Sequence, residues 1–269
     1  MSPLLIDSAH LAHVWRAGEL GSSSQQTVAT GYAALDSVLP GGGWPRASLT
    51  ELLQPLAGLH EWGLLLPALA AMQKTQARAC TVLVGAPHVP FAPSLAAQGL
   101  DMQRLLRIHA EKNDAPALLW ATREALQCAD VGAVVAWLPD ARSAHLRRLQ
   151  IAAHSHNKLL FVFRLQRAQN ESSPAPLRLL LQAADHGLKS NARSMGQLLV
   201  DVFKRRGPPL AAPLLLDTRP QRLAAFLAAS QKPSHRQSLP VPTQTPYIDL
   251  SDLLRKPLHA LDRVTSLSH

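Results

Sequence analysis

Thr30-Gly-Tyr-Ala-Ala-Leu-Asp36, then Leu39-Pro-Gly-Gly-Gly-Trp-Pro-Arg46, then Leu49-Thr-Glu-Leu-Leu53 is the stretch on which the fold turns. Thr30-Gly31 precedes an apolar-periodic helix over 32–39. Pro40-Gly41-Gly42-Gly43 ends it, because such a run permits backbone angles that other residues resist. An apolar strand over 48–53 follows. From there short apolar runs alternate with longer helical patterns. Strands are expected over 81–86, 105–109, 131–137 and 159–164, and helices over 61–76, 93–98, 116–128 and 142–156. Continuous Val/Leu runs alternating with helices specify a parallel sheet covered on both faces. Two further strands, 177–181 and 197–204, follow without a long helix between them and read as an antiparallel extension. Upstream, a short helix over 9–20 leads into a Gly/Ser/Gln linker, so residues 1–29 stand apart from a domain over 30–215.

Beyond that the chain changes character. From Gly207 onward there are nine prolines, and Pro233, Pro240, Pro242 and Pro246 make a linker. A helix is possible over 219–230. Leu250, Leu253, Leu254, Leu258 and Leu261 form a helix-like stripe interrupted by Pro257, too little to fold alone. Residues 216–269 are therefore expected to be a Pro-rich tail with short helices, docking on its own domain or on a partner.

The 269 residues, 47% hydrophobic and 17% charged, allow one packed domain with tails and exclude a wholly disordered chain. Cys80 and Cys128 lie far apart in apolar surroundings and read as packed, reduced thiols, and no histidine spacing points to a metal. The N-terminus lacks a basic start before its apolar run, and the run over 64–72 is broken by Pro67. The expected location is cytoplasmic, without a membrane partner.

The net charge of +9 is unevenly spread. Residues 1–141 hold 8 Lys/Arg against 11 Asp/Glu, residues 142–206 hold 12 against 3, and residues 207–269 hold 7 against 4. A basic middle segment attracts phosphate backbones or an acidic protein surface. A solvated face that keeps the chain soluble accounts for the same count.

The opening stretch resembles the start of the RecA ATPase core, just before its phosphate-binding loop. The closer resemblance is to the ImuA family, RecA-related proteins of bacterial translesion synthesis. It is carried by Leu49-Thr-Glu-Leu-Leu53, Ala86-Pro-His-Val-Pro90, Leu118-Leu-Trp-Ala121, Leu146-Arg-Arg-Leu-Gln150, Ser173-Pro-Ala175 with Leu177-Arg-Leu179, and Lys204-Arg-Arg-Gly207, and spans roughly residues 10–210. The resemblance implies a RecA-like α/β fold, a mostly parallel sheet flanked by helices.

A P-loop ATPase needs a glycine-rich turn, a Lys for the β/γ-phosphates and a Ser/Thr for Mg²⁺. Here the stretch runs Gln54-Pro-Leu-Ala-Gly58-Leu-His60-Glu61-Trp62, with no Lys before Lys74 and no Ser or Thr between Thr50 and Thr75. Glu61 puts a carboxylate where phosphates would sit, competing for the same helix-end donors. His60 does not replace a fully charged lysine at neutral pH. The resemblance places the water-activating Glu of RecA at Pro87 and the Mg²⁺-supporting Asp at Ala136; Asp140 stands on a different part of the loop. The P-loop is thus expected to be degenerate, with no catalytic residue, no metal and no ATP cofactor.

The resemblance then implies an adaptor of the SOS response that binds RecA, ImuB and, through ImuB, an error-prone DnaE-type polymerase, with DNA as a further partner. Arg147, Arg148, Arg164, Arg167, Lys204, Arg205 and Arg206 are the candidate DNA- or partner-binding cations. Trp15 in the N-terminal helix and Leu250, Leu253 and Leu254 in the tail are candidate docking residues. Trp15, Trp44, Trp62, Trp120 and Trp137 read mostly as core candidates, and Trp137 is expected to pack over the vacated cleft. Two rivals stay open: a RecA-like ATPase with an unfamiliar phosphate site, and a SulA-like inhibitor that binds the cell-division protein FtsZ.

Overall fold

The computed structural model describes residues 26–110, 114–184, 196–208, 210–220 and 223. The chain divides into two units, Met1–Ala224 and Ala225–His269. The second unit lies outside the described residues, as do the expected helix over 9–20, Trp15, and Leu250, Leu253 and Leu254.

A two-stranded ribbon, β1 (Thr27–Val28) with β2 (Trp44–Pro45), brackets a single helical turn, α1 (Ala33–Asp36). The expected helix over 32–39 is shortened to this turn. Asp36 Oδ1 accepts the Thr30 N–H at 2.8 Å, so the segment closes on itself. Then come β3 (Ser48–Gln54), α2 (Glu61–Thr75), β4 (Cys80–Val84), α3 (Ala92–Ala97), β5 (Leu105–Ile108), α4 (Ala115–Gln127), β6 (Val131–Trp137), α5 (Ser143–Ser155) and β7 (Leu159–Leu165). Each matches an expected element to within a few residues. β8 (Leu177–Ala183), β9 (Gln197–Lys204) and β10 (Leu214–Asp217) complete the sheet. β10 runs past 215, the expected end of the domain.

The main sheet has eight strands in the order β10-β9-β8-β3-β7-β6-β4-β5. It is mixed and mostly parallel, with helices on both faces. One expectation fails here: β8 runs parallel to β3, and only β9 and β10 are antiparallel. A parallel return needs a crossover of about a dozen residues, and it need not be an α-helix. A 3-10 turn at Gln166–Asn170 and an extended run over 171–176 supply that length.

Strand alternation sorts the core into two layers. Leu52, Leu83, Val135, Phe161 and Leu179 pack with Leu64, Leu65 and Leu69 of α2 on one face. Leu49, Val82, Val134 and Leu160 pack with Leu118 of α4 and Leu146 and Leu149 of α5 on the other. β3 and β6 are buried along their whole length, as strands covered on both faces must be.

Helix α2 carries Pro67 in its interior. Proline has no N–H, so the carbonyl four residues earlier, that of Gly63, loses its helical donor. The Tyr32 hydroxyl donates to that carbonyl instead. Gly31, with φ of +90°, makes the approach possible, since a Cβ there would lie 2.4 Å from Pro67 Cβ. The Thr30-Gly-Tyr segment is thereby clamped to α2, the helix that opens the candidate site.

Candidate functional site

The candidate site lies where β3, β4, β6 and β7 end. In an open α/β sheet the crevice outside the carboxyl ends of the strands is where ligands bind. Pro55 follows β3, and the chain turns through 55–60 into α2. Gly58 sits at the turn with φ of +91°, and a Cβ there would lie 2.7 Å from His88 Cδ2. Glycine takes this backbone angle without strain, and a side chain here would have to displace the exposed His88 ring.

The first residue of α2, Glu61, folds its carboxylate back into this turn. Oε1 accepts the Gly58 N–H at 2.6 Å and Oε2 accepts the His60 N–H at 2.9 Å. Oε1 also accepts Gln54 Nε2 at 2.6 Å and the indole N–H of Trp137 at 3.0 Å. Glu61 is only 3% exposed. A buried carboxylate is tolerated when hydrogen-bonded in this way, each charge-assisted bond contributing about 1.5–3 kcal/mol. The amides of a strand-to-helix turn, which would receive an external anion, are thus taken by the chain's own side chain. Burial holds the His60 imidazole below its ordinary value, against the pull of the Glu61 carboxylate beside it, so His60 is neutral at neutral pH.

Trp137 is buried, and its ring stacks on Phe163 with centroids 5.3 Å apart and planes at 19°. Beyond this pair lies a cleft of about 340 Å³, lined by Gln54, Ala57, Pro87, Leu118, Leu119, Trp137, Leu138, Asp140, Phe163 and Arg164 among others. No lysine is among the described lining residues, and Lys74 lines a different groove along α2. Pro87 does reach the cleft. Ala136 does not: it is fully buried in the layer under α4 and α5.

Arg164 corrects an expectation. It does not belong to an exposed basic face. It is 4% exposed, and its Nη1 donates to Glu51 Oε1 at 2.8 Å and its Nη2 to Glu171 Oε2 at 2.5 Å. Glu51, fully buried in β3, also accepts Arg178 Nε at 2.6 Å on Oε2. Arg178 donates on to the carbonyls of Ala168, Gln169 and Glu171, and its guanidinium lies 4.8 Å from the Phe203 ring centroid. Three neighbouring strands, β7, β3 and β8, are cross-linked through one carboxylate. The network also pins the crossover after β7. Its sequence signal is a lone charged residue, Glu51, next to Leu52-Leu53 in a strand buried along its whole length, a charge that burial permits only with partners.

The remaining cations lie on three different segments. Arg147 and Arg148 are exposed on α5. Arg167 pairs with Asp140 at 3.2 Å, both largely exposed. Lys204 donates to the Ser173 carbonyl at 2.7 Å, and burial, then the nearby Arg178, hold its amine below the ordinary value. Arg205 donates to the Val38 and Pro208 carbonyls and so ties β9 to the end of the α1 segment. Arg206 is exposed. Lys204 pairs in register with Arg178 near the start of β8, level with Glu51 in the middle of β3. Trp44 is buried and Trp62 half-buried, but Trp120 is 65% exposed and is not a core residue.

No family model matches the chain, and no curated protein matches it. Among the described residues there is no group of three or more metal-ligating side chains, and no helix is long and apolar enough to cross a membrane.

Proposed function

We propose that the chain is a RecA-like adaptor with a degenerate phosphate loop, which does not hydrolyse ATP and acts in SOS-induced translesion DNA synthesis. Its partners in this reading are RecA, ImuB and, through ImuB, an error-prone DnaE-type polymerase. One observation carries the non-catalytic half: the Glu61 carboxylate accepts the Gly58 and His60 amides. A triphosphate arriving there meets the Glu61 carboxylate in place of free donors, and among the described residues no lysine lines the cleft to offset it. Pro87, the position that the RecA resemblance gives to a water-activating Glu, lines the cleft and has no acid–base group. The central position of β3 and the order of strands and helices after it support the RecA-like part. The partners rest on the resemblance alone.

The ATPase reading has Asp140 on its side, since that carboxylate lines the cleft. It is engaged by Arg167, and no hydroxyl or lysine accompanies it among the described lining residues.

Purified full-length protein tests both readings. Mg-ATP, with and without single-stranded DNA, is expected to give no turnover, while RecA or ImuB is retained in a pull-down. Absence of both partners from the pull-down ends the adaptor reading. ATP turnover that disappears in Asp140→Ala establishes the ATPase instead.

A further inference from the structure

We propose that the cleft beside Trp137 receives a bulky apolar side chain from an extended segment of a partner protein. The proposal deepens the adaptor reading and rests on its claim that no nucleotide occupies this place. Four observations carry it.

The first is charge. Among the described residues that line the cleft the two ionised groups are both paired: Arg164 with Glu51 and Glu171, and Asp140 with Arg167. A cleft without spare charge complements a neutral occupant, and a charged one would lose its hydration without gaining a partner.

The second is its wall. Leu118, Leu119, Trp137, Leu138 and Phe163 present apolar surface, and the Trp137–Phe163 stack makes one side flat. At about 340 Å³ the space is at the lower end of the range for ligand pockets, enough for one large side chain. Buried anchors in such pockets dominate protein–protein affinity.

The third is a pair of unmatched polar atoms. Gln54 Oε1 and Arg164 Nε are buried and have no hydrogen-bond partner among the described residues, and both residues line the cleft. One is an acceptor and the other a donor. A peptide group brings the complementary N–H and C=O, so a small rotation of either side chain towards an extended backbone beside the anchor would give it a partner.

The fourth is the mouth. Ala57 and Pro87 line the cleft, and the two loops that carry them also hold exposed apolar residues: Leu56 at 62% and Leu59 at 56% in one, Val89 at 75% and Phe91 at 72% in the other. Exposed apolar surface grouped in this way is one mark of a protein-binding site.

The test uses a displayed library of random linear peptides selected on the full-length protein. Two cleft-filling variants, Ala57→Trp and Leu119→Trp, follow as comparison targets, with their melting temperatures checked against the parent. The expected peptides share a bulky apolar residue. Replacing it by alanine, or filling the cleft, weakens binding by about tenfold or more. Should both variants unfold, N-acetylphenylalaninamide is added to the parent protein and the Trp137 indole N–H resonance followed by NMR, with its signal assigned from Trp137→Phe. A saturable shift supports the proposal, and no shift overturns it. Peptides that bind parent and filled variants equally, or a selection that yields none, also overturn it. ATP or adenosine that binds the parent and is lost on filling overturns both this proposal and the claim beneath it. Absence of RecA and ImuB from the pull-down touches only the adaptor reading.

Discussion

The indole N–H of Trp137, at the end of β6, donates to Glu61 Oε1, at the start of α2, across 76 residues of sequence. The bond joins the turn after β3 to the stack on Phe163, so the interior of the cleft and the loop at its edge form one unit. Trp137→Phe keeps an aromatic ring beside Phe163 but removes the donor together with part of the buried indole, so Glu61→Gln, which keeps the indole, is measured beside it. Loss of the bond is expected to lower unfolding stability by about 1.5–3 kcal/mol, the range for a hydrogen bond to a charged group. Urea denaturation measures this. A loss within about 0.5 kcal/mol would show that the bond contributes nothing.

Glu61→Ala leaves the Gly58 and His60 amides and Gln54 Nε2 without their acceptor. The turn then becomes a vacant anion site at a helix N-terminus. The variant is expected to bind inorganic pyrophosphate in isothermal titration while the parent chain does not. Equal behaviour of the two would mean that Glu61 is not what excludes phosphate.

Glu51→Gln strips the shared carboxylate from Arg164 and Arg178 while both stay buried. Removing one partner of a buried ion pair costs about 3–5 kcal/mol. The expected result is a large fall in the denaturation midpoint, with proteolytic sensitivity appearing first in the crossover over 166–176, which Arg178 holds through the Ala168, Gln169 and Glu171 carbonyls.

Burial, and behind it the Asp217 carboxylate, push the Tyr32 phenol up to about 12. Ionisation is therefore favoured in the unfolded chain at lower pH than in the folded one. The stabilisation is complete below the ordinary value of about 10 and is lost as pH rises towards 12. Tyr32→Phe is expected to be less stable at neutral pH, because the Gly63 carbonyl above Pro67 loses its donor. It should also lose less additional stability between pH 10 and pH 12. Thermal melts of the two proteins across that window check both statements.

If the chain binds single-stranded DNA through the end of β9, affinity falls steeply with salt, and Lys204→Gln with Arg206→Gln reduces the slope of log K against log [salt] by about 0.7 per lost phosphate contact. Arg205 is left unchanged in that experiment because it ties β9 to Val38. A slope that moves only with Arg147→Gln and Arg148→Gln would place the nucleic acid on α5.

Much of this protein was legible from the order of its residues. Strand and helix spans, the parallel core and the absence of lysine and hydroxyl groups after β3 all follow from local periodicity and local composition. The place of Glu61 at a helix start was legible too, but not its neighbours. Only the folded chain brought Trp137 and Gln54 to that carboxylate, turned Arg164 from a candidate surface cation into a buried partner of Glu51, and laid β8 parallel to β3 through a crossover without an α-helix. The reason is separation: Glu51 lies 113 residues from Arg164 and 127 from Arg178. Periodicity reports which face a residue takes on its own element. Which distant residue shares that face depends on the order of the strands, and strand order is settled only when the sheet assembles.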